Sequence, residues 1–271
     1  MGLERRSAAG NDLGLDQRHA DACRLFGRNS AVSAKYLLEI SVQTLEGAMA
    51  AERGGADRIE LCENLSIGGV TPSTELLRAT RARLHIPIFS MVRPRGGDFM
   101  YSAAEFAEMQ RTIVAAKECG ADGVVLGILT KDQKVDLEQT RGLVEIAKPL
   151  PVTFHRGFDE AADLRQALED VIRSGAQRIL TSGGAKSALE GSVVLAELIE
   201  AAREQIVIVP GAGIKVENIG LIAQRTKAHE FHSGLSSSLP YGSREHKKFE
   251  EEVRKLAEQL ARISPARSIS D

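Results

Sequence analysis

Residues 54–62 read GGADRIELC: a glycine pair that can stop a helix, a small residue, a polar one, and then five residues of strand character. The same grammar returns as Gly120-Ala121-Asp122-Gly123-Val124 and as Gly175-Ala176-Gln177-Arg178-Ile179. In each the Gly supplies a left-handed helix stop, and the Ala packs where helix meets strand. A unit that ends a helix and launches a strand, met three times in one chain, predicts alternating β and α elements.

Outward from this repeat the alternation runs on from Tyr36. Short apolar runs predict strands at LLEISV (37–42), RIELC (58–62), PIFSMVR (87–93), GVVLGIL (123–129), PVTFHR (151–156), RILTS (178–182), IVIVPG (206–211) and HEFHS (229–233). Helical spacing fills the intervals at 44–55, 102–120, 136–148, 163–175, 187–204, 216–226 and 243–263, with Ser102 and Glu105 in a capping-box pattern. Pro87 and Pro151 open the third and fifth strands, where no ladder bond is needed, and each of those strands ends in Arg (Arg93, Arg156). Strands joined by such helices pair in parallel through right-handed crossovers. Eight units of about 28 residues give the count of a (β/α)8 barrel over residues 36–264 as one domain. An open doubly wound sheet would want a glycine-rich turn after the first strand, and SVQTLEG does not supply one.

Residues 1–35 mix Gly, Ser, Asn and Arg without apolar periodicity and read as an N-terminal extension; residues 265–271 read as a tail. The extension lacks the apolar stretch of a secretory signal, and its Asp and Glu residues argue against a transit peptide. A formal net charge of −2 supplies no basic excess for nucleic acid, and no apolar run suffices to span a bilayer. Three widely spaced cysteines, Cys23, Cys62 and Cys119, do not form a disulfide framework, which favours a reducing cytoplasm.

Buried parallel strands should be nearly all apolar, so polar residues inside them are informative. Glu39 and Ser41 share one side of the first strand, Glu60 and Cys62 of the second, Met91 and Arg93 of the third, Thr153 and His155 of the fifth, Glu230 and His232 of the eighth. A Glu against the helix layer would be costly, so these sets belong in the lumen, converging at the C-terminal mouth where barrel enzymes keep their chemistry. The loops reinforce this: RPRGGDF (93–99) brings Arg95 and Asp98, HRGFDE (155–160) brings Arg156 and Asp159, and small-residue turns follow at TSGG (Ser182, Gly183), GAG (Gly211, Gly213) and HSG (His232, Ser233). Turns of this kind free backbone N–H groups for a phosphate or another anion, and the arginines nearby point the same way.

AERGGADRIELCENLSIGGVTPS, MVRPRGGDFMYS, LPVTFHRGFD, ILTSGG and the GAGI…EFH ending together resemble the CutC family, described as copper homeostasis proteins, over about residues 36–233. The resemblance implies a cytoplasmic, oligomeric barrel linked to intracellular copper. That family commonly carries a second cysteine on strand one, where this chain has Ser41, and an Asp where it has Gln43.

Two functions follow as expectations. In one, the chain handles Cu(I), a soft ion that prefers thiolate, thioether and imidazole, with Cys62 as its ligand. In the other, it is an enzyme acting on a small anionic, perhaps phosphorylated, substrate. Glu39 or Glu60 would then be the general base, His155 would exchange protons or polarise a carbonyl, Arg93 and Arg156 would bind anionic groups, and Gly183, Gly211 and Gly213 would cradle phosphate. A third class, a binding or scaffold protein on the same fold, stays open because barrels host many unrelated functions.

Overall fold

The computed structural model describes residues 36–235 and 243–263; the expectations for 1–35 and 265–271 lie outside the described residues. In chain order the elements are β1 (Leu37–Val42), α1 (Leu45–Gly54), β2 (Arg58–Leu61), α2 (Thr74–Arg81), β3 (Ile88–Met91), α3 (Ala103–Glu118), β4 (Gly123–Leu126), α4 (Leu137–Ala147), β5 (Val152–Phe154), α5 (Leu164–Ser174), β6 (Arg178–Thr181), α6 (Ser192–Ala202), β7 (Val207–Pro210), α7 (Val216–Thr226), β8 (Glu230–Ser233) and α8 (Ser243–Ile263). The ladders are parallel in the order β7-β6-β5-β4-β3-β2-β1-β8, and β7 packs against β8, so the sheet comes round into a nearly closed barrel. The expected (β/α)8 barrel is the fold.

Local chemistry sets the element boundaries where the sequence placed them. Thr44 caps α1 by accepting from the Gly47 amide, Ser102 and Glu105 close the capping box of α3, and Asp163 accepts from two amides at the start of α5. Gly55, Gly120 and Gly175 take φ of 94°, 83° and 88°, the left-handed stop expected of the repeat. Helix α2 has no counterpart among the expected helices, because only Leu77 and Thr80 are buried along its eight residues and the apolar stripe is too short to read. The expected helix at 187–204 begins later, at Ser192, with residues 187–191 left as a turn. Most strands are trimmed at their C-terminal ends, so that Cys62, Arg93, His155 and Ser182 fall just beyond them.

The floor of the lumen is polar. Arg58 and Arg178, the first residues of β2 and β6, lie side by side with Glu39 and Glu230. Glu39 Oε2 accepts from Arg58 Nε and from Arg178 Nη1 (3.0 Å); Glu230 Oε2 accepts from Arg58 Nη2 (2.6 Å) and Arg178 Nε (2.9 Å). Arg178 Nη1 also donates to Thr153 Oγ1 at 2.9 Å. The Phe89 ring fills the remaining space, with the Arg58 and Arg178 guanidinium carbons 4.8 and 5.2 Å from its centroid. Room for that ring comes from Gly123 on β4, where a Cβ would stand 2.6 Å from it.

A buried ion-pair network adds little over a well-packed apolar core, but removing one partner strands the others. Arg178→Met should therefore lower unfolding stability by about 3–5 kcal/mol, read by urea denaturation. Stability equal to the parent would show that the floor does not depend on this guanidinium.

Candidate functional site at the barrel mouth

Above the floor lies a cavity of about 670 Å³ at the C-terminal ends of the strands. Its chemistry begins at Glu39, whose second oxygen, Oε1, bonds His232 Nδ1 at 2.8 Å. Burial alone would raise the Glu39 carboxyl, but Arg178, Arg58 and the His232 hydrogen bond overrule it and hold it well below the usual carboxylate range. Glu39 is 1% exposed and absent from the cavity wall. The expectation of Glu39 as a general base is thus corrected: a carboxylate bound to two guanidinium groups has no affinity left for a substrate proton, and it serves to orient His232.

His232 does reach the cavity. Burial would lower its imidazolium, yet Glu60 and Glu39 together raise it above its ordinary value. Its Nε2 lies 3.9 Å from Glu60 Oε2. Glu60 sits on the wall from β2; burial raises its carboxyl, and the charge of His232 only partly offsets this. Its Oε1 is buried with no hydrogen-bond partner among the described residues. Glu60 therefore keeps the role of candidate acid–base group.

His155, at the end of β5, is fixed in another way. Gly157 donates its amide to Nδ1 at 3.1 Å, Phe99 lies against the ring at 4.7 Å, and a Cβ on Gly127 would stand 2.6 Å from it. Burial, and then the charge of Arg93, push its pKa down to about 3. Of the two expected roles, this downward shift favours the neutral N–H donor over proton exchange near neutral pH.

The loop residues divide sharply. Arg93 lines the cavity, but its Nη1 donates to the Ile67 and Gly69 carbonyls and its Nη2 to Gly97 O, so it ties the β2–α2 and β3–α3 loops together. Only its Nε is buried without a partner. Arg95 and Asp98 pair with each other at 3.0 Å, with Arg95 also on Glu105, and neither lines the cavity; these two expectations are corrected. The TSGG turn does form an anion nest, yet the protein fills it itself. Asp159 accepts from Thr181 Oγ1, from the Ser182 amide and hydroxyl, and from the Gly184 amide. Ser182 is consequently closed to phosphate by Asp159, and the Gly183 amide by Thr181 Oγ1, to which it donates at 2.9 Å; both expectations are corrected. Gly211 is buried beneath the mouth, where a Cβ would lie 2.5 Å from Leu180, and it too is off the wall. Gly213 (φ 67°) and Ser233 do line the cavity, Ser233 Oγ donating to Ile214 O at 2.9 Å. Arg156 lines it as well, with Nε on Asp159 at 2.9 Å.

Copper requires its own fit. The Cys62 thiol is buried, donates to Val42 O at 3.7 Å and is pushed well above its ordinary pKa by burial and by the Glu60 and Glu63 charges. It does not line the cavity. Among the described residues the one group of His, Cys, Asp and Glu able to surround a metal is Glu39, Glu60 and His232, an oxygen and nitrogen set without sulfur. That set does not suit Cu(I), and Glu39 is already committed to two arginines. The Met91 thioether is the soft donor near this thiol: a Cβ on Gly69 would stand 3.1 Å from Cys62 Sγ and 3.7 Å from the Met91 methyl.

Sequence reasoning passed over Arg58 and Arg178, although both occupy the same place in the repeat, Gly55-Ala56-Asp57-Arg58 and Gly175-Ala176-Gln177-Arg178. A charged residue that opens a buried strand twice was the available signal. Lys215 and Ile67 on the cavity wall carried no signal of that kind.

Comparison with known proteins agrees with this architecture. The chain matches the profile of the CutC family over residues 36–237. It is 48% identical over 207 residues to a human copper homeostasis protein cutC homolog, covering 76% of each chain. It is likewise 48% identical over 197 residues to a family protein CutC of Chromobacterium violaceum, covering 73% of this chain and 80% of that one. A crystal structure described as CutC from Streptococcus agalactiae superposes with a TM-score of 0.70 at 32% identity, covering 73% of this chain and 98% of the other. A Rubisco-like protein from Rhodopseudomonas palustris, at 14% identity and a TM-score of 0.59, shares the fold alone. The chain belongs to the CutC family.

Proposed function

We propose that this chain is an enzyme that performs acid–base chemistry on a small anionic molecule held in the mouth of the barrel. The observation that carries the reading is the Glu60–His232 pair, in which a buried carboxyl with one unpartnered oxygen stands beside an imidazole that Glu39 anchors from behind. A catalytic group should titrate near the working pH, and burial moves Glu60 in that direction. Arg93, Arg156, Lys215 and His232 face the ligand space, against the carboxylates of Glu60, Asp159 and Glu160; Asp159 is engaged by its own turn and by Arg156, and Arg93 by three loop carbonyls. This balance favours an anion. Because Asp159 fills the β6 nest, the remaining positive wall is that of Arg156 and the Ala212–Lys215 turn.

The second reading is copper as cargo. It draws support from the relatives described as copper homeostasis proteins and from the Glu39, Glu60 and His232 group. Carboxylate and imidazole donors suit Cu(II) better than Cu(I). The two readings separate by titration. Cys62→Ala should leave any copper affinity of the chain unchanged, and a stoichiometric Cu(I) site that disappears in Cys62→Ala would return copper handling to the thiol.

Binding is testable by thermal shift with a panel of small sugar phosphates, hydroxy acids and keto acids. At a hundred times its Kd a true ligand should add about 2.7 kcal/mol of stability, and Arg156→Ala should weaken that gain. A panel in which nothing stabilises the protein would overturn the reading.

Protonation gives a further check. By ¹⁵N NMR, His155 should stay neutral with its proton on Nε2 from pH 5 to 8, while His232 keeps its second proton above its ordinary pKa. For stability the signs are opposite at the two ends. Glu39 and Glu230 have lowered pKa values, so their contribution holds above the ordinary carboxylate range and is lost as acid protonates them; that of His232 is lost as pH rises through its raised value. Stability should peak between these limits, and a monotonic rise into alkaline pH would contradict the assignment of His232.

A further inference from the structure

Besides Arg93 Nε, two polar atoms on the cavity residues are buried and without partners among the described residues: Glu60 Oε1 from β2 and His155 Nε2 from the end of β5. They are complementary in kind. The Gly157 amide occupies the Nδ1 lone pair of His155, so the neutral ring carries its hydrogen on Nε2 and presents a donor. The ring cannot turn away, because Phe99 covers it at 4.7 Å and the space at Gly127 is just what it fills. The Arg93 guanidinium, 4.7 Å from the Phe99 centroid, adds a positive charge that opposes ionisation of the imidazole. His155 is therefore a fixed donor that does not act as an acid, and it calls for an oxygen acceptor on the ligand. Glu60 is the reverse, an acceptor able to take up a proton and give it back, with His232 Nε2 3.9 Å from its other oxygen.

Resting on the acid–base reading of this mouth, we infer that the substrate is a small carbonyl compound and that the reaction is a proton shift at the carbon adjoining its carbonyl. Glu60 removes the C–H proton, and that electron pair forms a C=C bond while the carbonyl π pair moves onto oxygen. The resulting enolate oxygen is held by His155 Nε2–H, which donates a hydrogen bond without giving up its proton. Return of the proton from Glu60, to the same carbon or to the former carbonyl carbon of a hydroxy-carbonyl compound once its hydroxyl proton has moved to the enolate oxygen, completes the shift. No oxidant, reductant or second substrate is needed. Phe99 and Ile214 supply buried apolar surface to the cavity wall.

The test is solvent exchange with the full chain in D₂O, using pyruvate, dihydroxyacetone phosphate and ribulose 5-phosphate as probes, each also checked for binding by thermal shift. At least one probe that binds should lose C–H signal to deuterium. Glu60→Gln should abolish the exchange, His155→Phe should slow it about a hundredfold or more, and His155→Gln, which keeps an N–H, should lie between. Should His155→Phe fail to fold, the near-isosteric Glu60→Gln carries the test. A probe that stabilises the protein without exchange overturns the carbonyl inference and leaves the anion-binding reading intact. Exchange undiminished in Glu60→Gln overturns it as well, by assigning the chemistry elsewhere. Failure of every probe to bind overturns both.

Discussion

The architecture of the mouth depends on one buried carboxylate. Glu39 reaches from β1 to Arg58 on β2, Arg178 on β6 and His232 on β8, so a single side chain joins the two strands beside it to one across the lumen. Each contact constrains a different property. The arginines fix the floor and keep Glu39 ionised; the ionised Glu39 fixes the orientation of His232; His232, so held, faces Glu60 at the cavity wall. A neutral residue at position 39 would leave two guanidinium groups in a dry lumen with Glu230 as their shared carboxylate, a far less favourable balance. The position is structural by location and functional by consequence.

The mouth shows the opposite economy. Buried polar atoms in folded proteins nearly always have partners, and each one left without costs about 1–3 kcal/mol. Glu60 Oε1, His155 Nε2 and Arg93 Nε all stay unpaired on residues that line one cavity. The same chain satisfies every acceptor of Asp159 with a turn built around it, and ties Arg93 to three carbonyls of two loops. On the proposed reading a ligand supplies the partners for these three atoms, whereas Thr80 Oγ1, Thr140 Oγ1 and Arg178 Nη2 are unpaired among the described residues on side chains away from the cavity wall.

How much of this the sequence disclosed depends on whether a residue's role is local. The glycine stops at 55, 120 and 175, the caps at Thr44 and Ser102 and the strand alternation are decided within a few residues of themselves, and they were legible. The lumen side of Glu39, Glu60 and His232 followed from period-two alternation, again a local rule. What the residues do there is set by partners distant in the chain: Glu39 by Arg178, 139 positions away, and the TSGG turn by Asp159, 22 positions before Thr181. A Gly-rich turn looks the same in sequence whether it awaits a phosphate or already holds an aspartate. Likewise Arg93 and Arg95 read alike, and only the fold separates the cavity-side loop clamp from the outward pair with Asp98.

Closing the β6 nest with Asp159 has a consequence for where the chemistry sits. In this fold an anion is frequently held by the last turns of the barrel, which leaves the earlier strands free for reacting groups. Here Arg156 is drawn towards Asp159, so the positive charge available to a ligand lies between β5 and the β7–α7 turn with Lys215, facing Glu60 from across the lumen. On the proposed reading, a small molecule anchored on that side would bring its other end to Glu60 and His232. The soft thiol of Cys62 is sealed off beneath Gly69, where a Cβ would stand 3.1 Å from its sulfur. Glu60 and His232 face the cavity with the Met91 thioether on the same wall, while the thiol that the sequence offers on strand two lies outside it.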